Sequence, residues 1–210
     1  MRRQTHAVDN AAVSFPLRQI RARYDEATIT VYQAYPPEIA APALTAGRFV
    51  PPFKRERMTW IKPSFCWMMY RCGWATKSGQ ERVLAVRITR SGFELALEHA
   101  ALSHFQPDLH PDRRTWADQV KRSPVRVQWD PERDIHLAPL PYRSLQVGLS
   151  GPAVARYVDE WTVGIEDVTD LANRVRNLLR AGDRRPAQSL LPVETPYPLP
   201  PPIGARIAAS

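Results

Sequence analysis

Proline sets the scale of every element in this chain. Its ring fixes φ and removes a backbone donor, so it opens helices and turns but does not sit inside them without cost. Pro36-Pro37 therefore reads as the entry to a short helix, EIAAPALTAG, closed by Gly47, with Pro42 disturbing its regularity. Val50-Pro-Pro-Phe53 reads as a turn. Pro63-Ser64 reads as another helix start, with Ser64 placed to cap it or to face a ligand. Asp130-Pro-Glu-Arg133 reads as a further turn. From Pro186 onward the last 25 residues hold seven of the 21 prolines, a composition that favours extended polyproline conformation over a packed core. Residues 183–210 are thus expected as a disordered tail, and residues 1–15 as a flexible arm.

Between these breaks the pattern alternates between the two periodicities. Leu17–Tyr24, Thr28–Tyr35 (TITVYQAY), Met58–Ile61, Arg82–Thr89 (RVLAVRIT), Pro124–Trp129 (PVRVQW), Leu145–Leu149 and Thr162–Glu166 read as strands. Ser91–Ser103, Arg113–Lys121, Gly151–Trp161 and Thr169–Leu179 read as helices. The sum is one compact α+β domain over residues 16–182, with a mixed or antiparallel sheet of about six strands flanked by helices.

Charge and chemistry-bearing residues narrow the function classes. The formal charge is +8, which favours an anionic partner such as a nucleotide or nucleic acid, although an arginine-rich composition produces the same balance without one. No apolar run approaches the length of a membrane span. MRRQTHAVDN lacks the apolar stretch of a secretory signal, so the expected compartment is cytoplasmic. Cys66 and Cys72 are the only cysteines, and no Cys/His set has zinc-ligand spacing, so no metal is expected and both thiols read as reduced and structural. Phosphate-loop, dinucleotide-fingerprint, HExxH and GxSxG motifs are all missing.

Three clusters remain as candidate sites. The stretch WIKPSFCWMMYRCGW (Trp60–Trp74) carries Lys62, Ser64, Tyr70 and Arg71 among three tryptophans. Cations beside a helix N-terminus suit an anion, and the aromatic rings suit a stacked base. The competing reading is core, with Lys62 and Arg71 reaching out to solvent. The expectation adopted is a core face of Met and Phe residues and a pocket wall of Lys62, Ser64 and Arg71. In VRVQWDPERD, Arg126 and Gln128 share one strand face and are candidate phosphate or base donors. Glu132 beyond them is a candidate catalytic carboxylate, against the plainer reading of solvated turn charges. In PYRSLQVGLSG, Arg143, Ser144 and Gln146 are further binding candidates, and Glu166 in TVGIEDVT is a second candidate carboxylate.

SFCWMMYR, QWDPERD and YRSLQVGLSG, with VYQAYPPEIA and GRFVPP upstream, strongly resemble the family called domain of unknown function 4291, over about residues 17–180. That family name implies no activity. The order of elements is also similar to the first half of ADP-ribosyltransferase folds. In that likeness Gln33 stands where those enzymes carry His or Arg, Ser64 matches the second motif, and Glu132 or Glu166 supplies the glutamate. This resemblance implies an NAD-using transferase, with NAD as cofactor and a nucleic acid as an acceptor suited to the charge. Two alternatives stay open: a non-catalytic nucleic-acid-binding module using Arg18, Arg21, Arg23, Lys54, Arg55 and Arg57, and a nucleotide-processing hydrolase using Asp130 or Glu132.

Overall fold

The computed structural model describes residues 15–210; the expected N-terminal arm lies, except for Phe15, outside the described residues. The chain forms an α+β domain built on two sheets. The first has the order β2-β4-β8 and is antiparallel throughout. It comprises β2 (Thr28–Tyr35), β4 (Arg82–Thr89) and β8 (Thr162–Asp167). The second has the order β3-β7-β6-β5, from β3 (Thr59–Ile61), β7 (Pro139–Leu149), β6 (Val125–Arg133) and β5 (Ala100–Leu102), with β5 parallel to β6. A two-way backbone bridge between Tyr32 and Lys62 (N···O 2.7 and 3.3 Å) joins the two sheets.

The strongest sequence signals land where expected. TITVYQAY and RVLAVRIT pair over their full lengths, Thr28 with Thr89 through Tyr35 with Arg82. Both are rich in β-branched residues and buried over most of their length, as the central part of a covered sheet requires. Helix α1 (Pro37–Ala46) has proline in its first turn and Gly47 in the left-handed region at φ 66°, which only glycine adopts without strain. Helix α2 (Phe65–Cys72) is capped by Ser64 and ends at Gly73, φ 61°. Helices α3 (Arg90–Glu98), α4 (Arg113–Arg122), α5 (Pro152–Arg156, running into a π-turn at Tyr157–Trp161) and α6 (Thr169–Ala181) complete the expected set.

Four expectations are corrected. The helix read over Ser91–Ser103 stops at His99, because Ala100–Leu102 leaves it to pair with Val125–Val127. The turn read at Asp130–Arg133 is strand: β6 runs through Pro131, tolerated because the ladder shifts register between Pro131 and Arg133. The strand read over Leu17–Tyr24 shortens to β1 (Arg21–Ala22) with isolated bridges at Arg18 and Tyr24. The tail is the largest correction. Residues 184–206 supply α7 (Arg184–Ser189), β9 (Thr195–Pro196) and α8 (Pro201–Arg206), and β9 pairs antiparallel with β1. Tyr197 and Ile207 are buried, and the Trp129 indole donates to the Ile207 carbonyl at 2.7 Å. A proline-rich segment cannot build a core alone, yet it can lie extended on one already formed.

Candidate functional site

The segment from Trp60 to Cys72 is the hinge of the site. Phe65, Met68, Met69 and Cys72 point into the core beside Val83, Ala172 and Val175. The opposite side of the same helix carries Trp67, which is also buried, and the exposed Arg71. Ahead of the helix, Trp60 pairs in register with Gly148 of β7. A Cβ at Gly148 would lie 3.0 Å from the Trp60 ring and from Met58 Sδ, so this glycine lets the indole lie flat on the neighbouring strand.

Trp60 and α2 thereby wall a cavity of about 480 Å³, within the size range of ligand pockets. Its rim carries Lys54, Arg57 and Arg71, all exposed. Its floor is a fully satisfied polar knot. Gln33 is 3% exposed and donates to Thr59 Oγ1 at 2.7 Å, Tyr35 Oη at 2.8 Å and the Trp60 carbonyl at 3.2 Å, while Tyr157 donates to Gln33 Oε1 at 2.6 Å. Burial pushes the Tyr35 phenol up to about 12, so this knot stays neutral. Gln33 is thus a structural residue with no donor left for a ligand.

Lys62 enters the same cavity. It is 5% exposed, and its ammonium lies 4.9 Å from the Trp67 ring centroid. Among the described residues no side chain or carbonyl accepts a hydrogen bond from it, and no carboxylate lies within ion-pair distance. Burial, reinforced by the neighbouring Arg71 charge, drops its pKa from the ordinary lysine value to about 7, against the weaker pull of Asp130. The expected alternative, both cations reaching into bulk solvent, does not describe Lys62.

Behind the cavity, one face of β6 and β7 is a row of polar side chains. Gln128 and Gln146 are cross-strand partners and both donate to Asp130, at 2.8 and 2.6 Å. Arg126, on the same face, turns back to the Ser123 carbonyl at 2.5 Å and has its pKa lowered by burial. Arg143 donates to the Trp129 carbonyl at 3.3 Å and lines a second cavity of about 430 Å³ together with Arg18, Gln128 and Asp130.

At the N-terminus of α2 the structure brings together residues far apart in the chain. Ser64 Oγ accepts the Trp67 amide at 3.1 Å and donates to Glu132 Oε1 at 2.8 Å. Ser144, buried on the neighbouring strand, helps to lower the Glu132 pKa, and the Arg133 amide donates to Glu132 Oε1 at 2.8 Å. Glu194, from the C-terminal segment, accepts the Phe65 amide at 2.7 Å. Burial raises both carboxylates; the Glu132 charge adds to the effect on Glu194, which reaches about 8. Glu194 was invisible to sequence reading because it lies in a segment whose composition argued for disorder.

The remaining candidates fall outside this arrangement. Tyr70 is 40% exposed and sits under the Arg133 guanidinium, 3.6 Å from its ring centroid, outside the cavity lining. Glu166 is exposed on β8, opposite Ala85, in the other sheet from Glu132. Arg55, a candidate phosphate contact, is held by Asp159 through two bonds of 2.7 and 2.8 Å. Both cysteines are free, and burial pushes both thiols up, away from reactivity. Among the described residues no cluster of His, Cys, Asp or Glu could hold a metal ion, and no helix is long and apolar enough to cross a membrane.

The sequence model of the family described as Domain of unknown function (DUF4291) matches residues 19–197. No curated protein matches the chain.

Proposed function

The chain belongs to the DUF4291 family, whose description carries no activity, and from the geometry of its cavity we propose a nucleotide-binding enzyme with NAD as its first candidate ligand. The observation that carries this reading is the cavity's composition: three exposed cations at the rim, an indole along one wall, and no carboxylate in the lining. Phosphates meet Lys54, Arg57 and Arg71, and a flat ring lies against Trp60.

The transferase form of the reading rests on Ser64 and Glu132. Lys62 and Ser64 are two residues apart, so their Cα atoms are separated by at most about 7 Å, and Glu132 is 2.8 Å from the Ser64 hydroxyl. A mononucleotide confined to the cavity does not meet Glu132, which is absent from the lining. A dinucleotide extending along the polar row of β6 does. There a buried carboxylate held by Ser64 and the Arg133 amide suits stabilisation of positive charge at a sugar carbon whose glycosidic bond is breaking.

Titration calorimetry with NAD, ADP and pyrophosphate tests the binding claim. Saturable binding is expected, weakened at least about tenfold, or 1.4 kcal/mol, in Arg57→Ala/Arg71→Ala. Glu132→Gln should keep NAD affinity and abolish release of nicotinamide. Failure of all three ligands to bind, or binding indifferent to Arg57 and Arg71, would refute the reading.

A further inference from the structure

Lys62 is a different kind of group from the cations at the rim. The chain has 29 basic side chains, of which four are lysines: Lys54, Lys62, Lys77 and Lys121. Arginine is the better residue for a fixed anion contact, since its planar fork donates in parallel and keeps its charge. Lysine differs in being able to lose its proton and become a nucleophile. In a chain that uses arginine almost everywhere, the cavity's buried basic position is a lysine, while Lys54, Lys77 and Lys121 are exposed.

The surroundings favour the free amine. Among the described residues no carboxylate pairs with Lys62, and the nearest acidic influence, Asp130, is held by Gln128 and Gln146. Arg71 adds like charge, and the Trp67 ring covers one side. The other side opens to the cavity. Desolvation beside a second cation is a known way to activate an amine toward carbonyl carbons, and the depressed basicity of Lys62 agrees with it.

We propose that Lys62 is a nucleophilic amine that forms an imine with an anionic aldehyde bound in the cavity, the anion held by Arg57 and Arg71. The Nζ lone pair adds to the carbonyl carbon, and one N–H proton passes to the carbonyl oxygen. The resulting carbinolamine loses its hydroxyl group together with the second N–H proton as water. The products are an imine and water, with no change of oxidation state and no co-reactant. The proposal rests on the cavity accepting an anionic ligand, and not on that ligand being a nucleotide.

The test uses the intact protein with pyridoxal 5′-phosphate as a probe aldehyde, cyanoborohydride to reduce any imine to a stable secondary amine, and peptide mass spectrometry to locate it. The three exposed lysines serve as internal controls, so no variant has to fold. Labelling of Lys62 at least about tenfold over each of them, with protection by pyrophosphate, is the expected result. Labelling of Lys62 to the same extent by pyridoxal without its phosphate would keep the amine chemistry and refute the anion site on which the proposal rests. Labelling confined to Lys54, Lys77 and Lys121, in protein that still binds pyrophosphate, would overturn the proposal and leave the anion site standing. Lys62→Met, which removes the amine, should lose the cavity adduct and leave labelling of Lys77 and Lys121 unchanged.

Discussion

Replacing Lys62 by methionine should make the ligand-free protein more stable at neutral pH and flatter in its response to alkali. Burial and the Arg71 charge bring the folded pKa of Lys62 down to about 7 from the ordinary lysine value of 10.5. Below about pH 7 the group is protonated in both states, and the folded state bears the whole cost of a buried, unpaired cation. Between about pH 7 and 10 the folded protein releases the proton while the unfolded chain keeps it, so stability rises with pH. Integrating the two titrations from about pH 7 to pH 9 gives a gain of about 2 kcal/mol. Glu194 works in the opposite direction. Its raised pKa makes a contribution that is full at acid pH and lost as pH rises toward about 8. The readout is therefore the difference between wild type and Lys62→Met in urea denaturation midpoints, taken at about pH 6, 7.5 and 9. The variant should be several kcal/mol more stable at pH 6, with the difference shrinking as pH increases. A difference that is constant across pH, or a variant destabilised at pH 6, would refute the account of Lys62 as a strained buried cation.

Three other outcomes follow from the geometry. Glu194→Gln keeps an oxygen acceptor for the Phe65 amide and removes the titration, so the loss of stability between about pH 5 and 8 should diminish in denaturation curves at matched pH. Gly92→Ala places a Cβ 2.3 Å from Trp161 Cγ and should destabilise by about 1–3 kcal/mol or more, measured as a lowered urea midpoint with unchanged slope. Truncation after Val193 removes Glu194 and strips Tyr197 and Ile207 from the core; it should lower the melting temperature by several degrees, whereas a dispensable tail would leave it unchanged.

How far the sequence carried differs from element to element, for physical reasons. β2, β4 and α2 were legible because each carries its own information: β-branched runs for the strands, and a serine cap, apolar spacing and terminal glycine for the helix. The pairing of Ser64 with Glu132 was not legible, because contact between residues so far apart depends on sheet order, which local periodicity does not encode. Asp130–Arg133 was misread because proline with acidic neighbours is a sound turn signal, overridden here by an eleven-residue partner strand and a shift of register. The C-terminal segment was misread because composition measures what a segment can do alone. Tyr197 is buried among Tyr24 and Phe93, rings that belong to other elements. Of the expected wall of Lys62, Ser64 and Arg71, the cavity lining includes Lys62 and Arg71 and not Ser64, and nothing in a linear reading distinguishes the burial of Lys62 from the exposure of Arg71.

The pairing of β9 with β1, and of Glu194 with the first amide of α2, has a consequence for how the protein is made. Translation delivers Ser64 and Lys62 early, while the carboxylate that closes the helix start arrives among the last residues of the domain. Until those residues leave the ribosome, the Phe65 amide has only water, and Trp129 and Phe93 stand open where Ile207 and Tyr197 will cover them. The cavity walls can form on a nascent chain, but the cluster around Glu132 is completed only once Glu194 has been made. Emergence of the C-terminal segment, rather than of the motif-bearing segments, is thus the event that finishes the site.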